Sequence, residues 1–129
     1  MRYFVSGHRD LTKEEFEEHY VPLIQKVIKE DSWAEFVVGD WEGCDTLFIE
    51  YILYRFPNIF VSIYYIDYIK TKFRGNYVYN YDNINLCKRN TYDECDASMT
   101  RNSDFDIAWI RPGREDSHTA KNIKRRYNL

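Results

Sequence analysis

Disulfide chemistry and membrane insertion have little support in this sequence, because cysteines are few and long apolar runs are missing. The three cysteines, Cys44, Cys87 and Cys95, are an odd number at spacings that match neither a disulfide framework nor a paired zinc site. No stretch approaches the roughly 18 uncharged apolar residues that cross a bilayer. The amino terminus has a strand-like pattern without a basic and then apolar leader. We therefore expect a protein of the cytoplasm or nucleus that is neither secreted nor inserted in a membrane.

An excess of positive charge is also lacking. The 129 residues carry 18 basic and 21 acidic side chains, which gives a formal net charge of −3 at pH 7. No overall positive field is therefore available to hold a nucleic-acid backbone, which disfavours general DNA or RNA binding. We expect the basic residues near the carboxyl end to be solvated and to complement a helix terminus, or alternatively to contact nucleic acid. They are Lys121, Lys124, Arg125 and Arg126.

Three ligand-binding or catalytic motifs are absent as well. The sequence has no Gly-x-Gly-x-x-Gly, no phosphate loop ending in Gly-Lys-Ser/Thr and no Gly-x-Ser-x-Gly turn. These absences weigh against dinucleotide-dependent redox chemistry, ordinary nucleotide triphosphatases and esterases. Because His8, His19 and His118 are far apart in sequence, the pattern predicts no metal site, and we expect no cofactor.

The sequence does contain a regular alternation of strand-like and helix-like segments. Arg2–Ser6 and Glu35–Gly39 are short β-rich runs that stop at glycine and are followed by apolar residues at helical spacing. Thr12, with Glu15 three residues later, predicts a capped helix start, and Pro22 predicts a kink or a restart of that helix. Three- and four-residue spacing also predicts the buried face of this helical segment. Its members are Phe16, Tyr20, Leu23, Ile24, Val27 and Ile28.

The second half of the sequence continues the alternation after one irregular segment. The nearly continuous apolar run 59–66 predicts a central strand that is buried on both faces. No period is sustained over 67–86, which predicts a long loop that is functional or mobile. Segments 89–102 and 104–110 are typical of a helix and of the last strand. Ser117 is then predicted to cap a final helix that ends near Tyr127.

This pattern predicts a single α/β domain over residues 1–129, a Rossmann-like three-layer fold with a four- to five-stranded, mainly parallel sheet. Ligands of such sheets bind beyond the carboxyl ends of the strands, where successive connections leave in opposite directions. The turns at 6–10, 39–45 and 111–119 are therefore expected to form one ligand site. The twelve tyrosines suit a wet cleft, and also pairing with a second copy as a homodimer.

The turn after the first strand contains Gly7 and Arg9. Backbone amides and a helix dipole there could face an anionic group that Arg9 contacts, which predicts a phosphate subsite. The alternative is an ordinary strand-to-helix turn in which Gly7 supplies a positive φ and Arg9 is solvated.

The turn after the second strand combines two glycines with three acidic residues. Gly39 and Gly43 would let a ligand approach the backbone closely. Asp40, Glu42 and Asp45 suit the hydroxyls of a sugar, or acid-base chemistry with a pKa raised by crowded like charges. The alternative assigns Asp40 to helix capping and Asp45 to compensation of the helix dipole.

Other candidates lie in the second turn and towards the carboxyl end. Trp41 could stack on a base or simply cover the edge of the sheet. Asp96 and Met99 fall on the third predicted helix, where Met99 suits the core and acidic residues suit a solvated face. Ser117 and Thr119 offer hydroxyls and free helix amides to a phosphate, or else belong to a surface loop with a serine cap.

Taken together, three of these segments resemble the SLOG superfamily, a Rossmann-like group related to the "lonely guy" phosphoribohydrolases and to TIR and nucleoside deoxyribosyltransferase domains. Residues 5–10 (Val-Ser-Gly-His-Arg-Asp) are similar to the family's strand-Gly-x-Arg start, and 38–45 are similar to its Gly-x-x-x-Gly-x-Asp turn. Segments 96–109 and 117–120 resemble its closing helix, strand and Ser-Gly-Thr phosphate turn. His118 stands where the family commonly has glycine, and the Pro-Gly-Gly-x-Gly-Thr-x-x-x-Glu signature of the phosphoribohydrolases is missing.

The resemblance implies an enzyme that cleaves or transfers the N-glycosidic bond of a nucleoside or nucleotide. A carboxylate would stabilise or trap the oxocarbenium-like sugar while other groups hold phosphate. The residues assigned on this basis are Asp45, Glu42 and Asp96 for catalysis, Gly7, Arg9, Ser117 and Thr119 for phosphate, and Gly39, Asp40, Trp41 and Gly43 for sugar or base. The alternatives are a non-catalytic module that binds a nucleotide-derived ligand and a protein-interaction domain with a decayed site.

Overall fold

The computed structural model of the protein describes residues 1–66 and 82–127 and contains a parallel sheet with helices on both faces. In chain order the elements are β1 (Arg2–Ser6), α1 (Lys13–His19), α2 (Val21–Glu30), β2 (Glu35–Gly39), α3 (Cys44–Arg55), β3 (Val61–Ile66), β4 (Ile84–Arg89), α4 (Tyr92–Arg101), β5 (Phe105–Ala108) and α5 (His118–Tyr127). The five strands are ordered β4-β3-β2-β1-β5, and every neighbouring pair runs parallel. The predicted α/β class with a Rossmann-like parallel sheet is therefore confirmed.

β1 lies inside the sheet, between β2 and β5. Tyr3 pairs with Phe36 on one side and with Phe105 on the other. The helices that follow β1 and β2 (α1, α2 and α3) share a core on one face, whereas α4 packs on the other face with α5. The connections after β1 and β5 therefore leave to opposite faces, and the space beyond their carboxyl ends is the topological switch point of the sheet.

The two faces of the sheet bury separate apolar clusters because side chains alternate along each strand. On β1, Val5 belongs to the cluster that contains Ile24 and Phe48 of the α1 to α3 layer. Phe4, its neighbour in sequence, belongs to the cluster that contains Met99 of α4. Met99 is only 2% exposed, so the expectation that it is a core residue is confirmed.

The first helical segment is divided where proline predicts it. The Thr12 side chain and Glu15 form a complete capping box at the start of α1, as expected, and Pro22 lies in the first turn of the new helix α2. The prediction that Leu23 is buried is wrong, because its side chain is 45% exposed. Phe16, Tyr20 and Ile24, at four-residue steps, form the buried face, and Leu23 lies beside it towards solvent.

The predicted loop 67–86 and the predicted helix 89–102 overlap a strand. Residues 84–89 form β4 beside β3, and α4 begins at Tyr92, where the Thr91 side chain accepts a hydrogen bond from the backbone N–H of Glu94. β4 lies at the edge of the sheet and has no fully buried residue, so it lacks the apolar run that marks a central strand. Residues 67–81 lie outside the described residues. Within 1–66 and 82–127, no helix is both long and apolar enough to span a bilayer.

The basic residues of the last helix differ in their surroundings. Lys121 and Lys124 are exposed, as expected of a solvated face. The expectation is wrong for Arg126, whose guanidinium donates to both carboxylate oxygens of Asp106 at 2.8 and 2.9 Å. The two side chains are only 15% and 9% exposed, so this ion pair fastens α5 to β5.

Candidate functional site

A cleft of about 410 Å³ opens at the switch point, beyond the carboxyl ends of β1 and β2 and between α4 and α5. The predicted site residues that line it are Gly7, Arg9, Gly39, Trp41, Asp45, Asp96, Ser117 and Thr119. The three turns that were expected to converge therefore meet around one cavity. The remaining predicted residues, Asp40, Glu42 and Gly43, do not line it.

Gly7 and Gly39 are glycines because other side chains occupy the space beside them. A Cβ on Gly7 would lie 2.6 Å from the Cys44 Sγ and 2.5 Å from the Tyr20 Oη. The alternative in which Gly7 supplies a positive φ is wrong, because among the described glycines only Gly43 and Gly113 have one. A Cβ on Gly39 would lie 2.7 Å from the Asp45 Oδ2, so the missing side chain leaves room for that carboxyl.

Gly43 brings two turns together and does not admit a ligand. It is the N-cap of α3 with φ +73°, and a Cβ there would collide with the backbone of Arg9. The neighbouring Cys44 N–H donates to the His8 carbonyl at 3.1 Å, which joins the α3 start to the turn after β1. Our assignment of Gly43 to sugar or base is therefore wrong.

The acidic residues of the second turn have three different environments. Asp40 is buried at 2% exposure, outside the cleft, and it does not cap α3, whose N-cap is Gly43. Glu42 is exposed and does not line the cleft. The capping role for Asp40 is therefore wrong. The assignments of Asp40 to sugar or base and of Glu42 to catalysis stay predictions, and neither residue lines the cleft.

Asp45 lies in the first turn of α3 and is almost fully buried, with 7% of its surface exposed. Its Oδ2 accepts a hydrogen bond from the Trp41 N–H at 3.1 Å. Burial raises the pKa of Asp45 to about 8; the Trp41 amide and Arg9 act to lower it, and the nearby carboxylates Asp40 and Asp96 act to raise it. At neutral pH this carboxyl therefore holds a proton that it can donate.

Asp96 is the second carboxyl of the cleft and comes from the middle of α4. Burial raises its pKa as well, but three cations, Arg125, His118 and Arg9, act in the opposite direction. Around Asp45, the Trp41 amide and the cation Arg9 lower the pKa, against the larger effect of burial. The cleft therefore holds two acidic groups whose pKa values are both raised, and more of the nearby cations oppose the rise at Asp96.

Arg9 is held by aromatic rings and is not merely solvated. Its guanidinium carbon lies 5.0 Å from the Trp41 ring centre and 5.5 Å from that of Tyr92. The two rings are stacked with centroids 4.8 Å apart. All three side chains line the cleft, so they form an aromatic wall that also carries a positive charge. Tyr92 was not among our predicted site residues, because its contact with Trp41 joins segments 51 positions apart.

The start of α5 forms another wall of the cleft. The Ser117 Oγ accepts a hydrogen bond from the Ala120 N–H at 3.3 Å, which confirms the predicted cap. Thr119 is 3% exposed and lines the cleft together with His118 and Arg114. Amides of a helix N-terminus beside cationic side chains favour an anionic group.

Two further lining residues escaped the sequence analysis. The Ser6 Oγ is buried and has no hydrogen-bond partner within residues 1–66 and 82–127. Ser6 is two positions from Phe4, so alternation along β1 directs both side chains to the α4 face.

His8 is 3% exposed, and its Nε2 accepts a hydrogen bond from the Arg111 N–H at 2.9 Å. Burial and the charges of Arg114 and Arg111 lower the pKa of His8.

Arg111 joins two of the turns around the cleft without lining it. Its guanidinium donates to both oxygens of Glu15, at 3.0 and 2.7 Å, and to Asp10 Oδ1 at 3.1 Å. Arg114 also contacts Asp10, at 3.4 Å. The Arg111 guanidinium holds the pKa of Glu15 at about 2, so these contacts remain ionic throughout the physiological range. The segment after β5 is thereby fastened to the segment after β1.

Comparisons of the chain with protein-family models, curated proteins and solved structures found no match. The likeness to the SLOG superfamily therefore stays a prediction. Within the described parts of the chain, no three or more His, Cys, Asp or Glu side chains are grouped so that they could hold a metal ion. What the cleft does combine is a protonated carboxyl, a second carboxyl near cations, an aromatic wall and a helix N-terminus.

Proposed function

We propose that the cleft binds a nucleoside or nucleotide and that the protein breaks or transfers its N-glycosidic bond, as the resemblance to the SLOG superfamily implies. The observation that carries this proposal is the pair of carboxyls in the cleft, buried Asp45 and half-buried Asp96, at the carboxyl edge of a parallel sheet. They lie between a wall suited to a planar base and a wall suited to phosphate.

The two walls would bind different parts of the ligand. A base would stack on the Trp41 and Tyr92 rings, since every base has a π-face that an aromatic side chain can contact. A phosphate would lie at the α5 start, near Arg114 and His118, where the sequence analysis also assigns Ser117 and Thr119. The sugar, which joins base to phosphate, would then lie between the walls and beside the carboxyls.

The reaction needs a proton for the departing base and negative charge for the sugar. When the bond between the sugar C1′ and the base nitrogen breaks, the electron pair stays on the base, and Asp45 donates the proton that neutralises it. Asp96, in its carboxylate form, stabilises the oxocarbenium-like sugar or bonds to C1′. Water or a second base then bonds to C1′, any bond from C1′ to Asp96 breaks and leaves the carboxylate, and the proton that the incoming group loses returns to Asp45. From the sequence, Asp45 is expected to act on the sugar or in acid-base chemistry, and its burial favours the proton transfer.

The test is base release from a panel of nucleosides and nucleoside monophosphates, followed by mass spectrometry. We expect Asp45→Asn to lower kcat about a hundredfold or more, as loss of a general acid does. Glu42→Gln is the matched control, because this carboxyl belongs to the same turn but lies outside the cleft. Unchanged turnover in Asp45→Asn would reject the assignment. Ligand retained intact by the wild-type protein would instead support the non-catalytic module.

A further inference from the structure

Three turns around the cleft meet on one buried residue, His8. It directly follows Gly7 at the end of β1, and its carbonyl oxygen accepts the N–H of Cys44, the first residue of α3, at 3.1 Å. Its ring Nε2 accepts the N–H of Arg111, in the segment after β5, at 2.9 Å. His8 thus connects the carboxyl ends of β1, β2 and β5.

Each of these segments supplies cleft residues. Arg9 follows β1, Asp45 follows β2, and Arg114 and Ser117 follow β5. The contact from the carbonyl of His8 is independent of protonation, whereas the contact from its ring is not. We propose that the neutral ring of His8 positions the segment after β5 in the wall of the cleft, and that protonation of this ring breaks the contact with the Arg111 amide and shifts the segment, which the ion pairs of Arg111 still hold to the segment after β1. This inference does not rest on the proposed function, because it concerns the assembly of the cleft and not its ligand.

The chemistry of the contact makes it sensitive to protonation. Only a ring nitrogen without a proton accepts a hydrogen bond, so the ring that contacts Arg111 is neutral and carries its proton on Nδ1. A second proton would bind to Nε2, and the N–H group formed there would face the N–H group of Arg111. Because His8 is 3% exposed, water cannot readily replace the lost partner.

The charged groups around His8 come from three elements. Arg111 and Arg114, from the segment after β5, oppose a positive charge on the ring, whereas Asp10 and Glu15 favour it. Burial is the largest influence, and the pKa of His8 lies below its usual 6.5. His19 of α1 is a second titratable ring nearby, stacked on Trp109, which also contacts His8. Since the pKa values of Asp10 and Glu15 are lowered, both stay ionised over the range in which His8 titrates.

The test is an NMR titration of the full chain from pH 8 to pH 5, without ligand. We expect the His8 ring to titrate with a midpoint below its usual 6.5, and the backbone amides of Arg111, Arg114 and Ser117 to shift with the same midpoint. Hydrogen exchange of the Arg111 amide should accelerate about tenfold through that transition, relative to its intrinsic rate, as expected for loss of one buried hydrogen bond.

Two variants separate this role of His8 from a merely structural one. His8→Gln places an amide oxygen near the position of Nε2 and does not titrate, so the three amides should keep their neutral positions at every pH. His19→Gln removes the other ring that contacts Trp109 and should leave the transition unchanged.

The inference fails if the amides of Arg114 and Ser117 do not follow the His8 midpoint in the wild-type protein. It fails equally if His8→Gln shows the same transition. The wild-type titration decides the matter even if a variant does not fold. Because no ligand is present, a negative result leaves the proposed reaction untouched, and a failure to cleave nucleotides leaves this inference untouched.

Discussion

Asp45 shows how one residue in this cleft depends on the absence of a side chain at another. Its carboxyl occupies the space that a Cβ on Gly39 would need, and it is held there by the Trp41 amide. The same confinement removes water from the carboxyl, which makes ionisation costly. Glycine at the end of β2 therefore sets the position of the acid, and its burial sets the protonation state.

The burial of Asp45 predicts a characteristic dependence of stability on pH. Its pKa is about 8 in the folded chain against 3.8 when unperturbed, so the folded state holds this proton more tightly. The corresponding stability is complete below the unperturbed value and is lost as the pH rises through about 8. The free energy of unfolding of Asp45→Asn, minus that of the wild type, should therefore increase from pH 5 to pH 8.5 by about 1 kcal/mol or more.

Urea denaturation at several pH values measures this difference. Glu42→Gln, which changes a neighbouring exposed carboxyl, should show no such increase. If the difference in free energy of unfolding between Asp45→Asn and the wild type stays constant with pH, Asp45 is ionised in the folded protein. It could then not act as the proton donor.

Among the elements, those with a local signal were predicted and those defined by neighbours were not. Thr12, Glu15 and Pro22 act within a few residues of themselves, so the start of α1 and the restart at α2 could be read from sequence. The edge strand β4 could not be predicted from sequence, because none of its residues is fully buried and apolar residues do not alternate regularly with polar ones along it. The burial of Arg126 depends on Asp106, a partner from another element that no periodicity reveals.

The caps of α1 and α4 give a prediction at the same scale. Thr12 and Thr91 each accept the N–H of a residue three positions later, at 3.1 Å. Replacement of either by alanine should lower the free energy of unfolding by about 1 kcal/mol. Only Thr12→Ala should also shift the NMR signals of Arg111, because the cap residue Glu15 binds that guanidinium.

Urea denaturation and amide spectra of the two variants check this. Equal shifts at Arg111 in both variants, or a shift in neither, would contradict the connection between the α1 cap and the segment after β5.

For the whole molecule, the position of the cleft could be predicted, but the contacts that hold it together could not. Parallel strands bring their carboxyl ends to one edge, which is why Gly7, Gly39 and Ser117 were expected together and are found together. The contact of His8 with Arg111 spans 103 positions, and that of Trp41 with Tyr92 also joins distant segments. Such pairs follow from how the helices pack, which spacing within one segment does not encode.

For the whole molecule, we predict that the ion pair between α5 and β5 contributes strongly to stability. Arg126→Met leaves the carboxylate of Asp106, whose side chain is 9% exposed, without its ionic partner. Removing one member of a buried ion pair costs about 3–5 kcal/mol, so the chain should be strongly destabilised. Lys124→Met likewise replaces a cationic side chain by methionine, at an exposed position of the same helix, and should have little effect on the free energy of unfolding. Thermal and urea unfolding measure both, and similar values for the two variants would contradict the buried role of Arg126.

The strand order has a consequence for the chain as it leaves the ribosome. β5 pairs with β1, from which it is separated by about a hundred residues of sequence, as the contact of Arg2 with Asp104 at a separation of 102 shows. A nascent chain that has exposed only β1 to β4 can form that part of the sheet, but one edge of β1 then has unpaired amides and carbonyls. Until β5 emerges and covers that edge, newly made chains are exposed to pairing with one another.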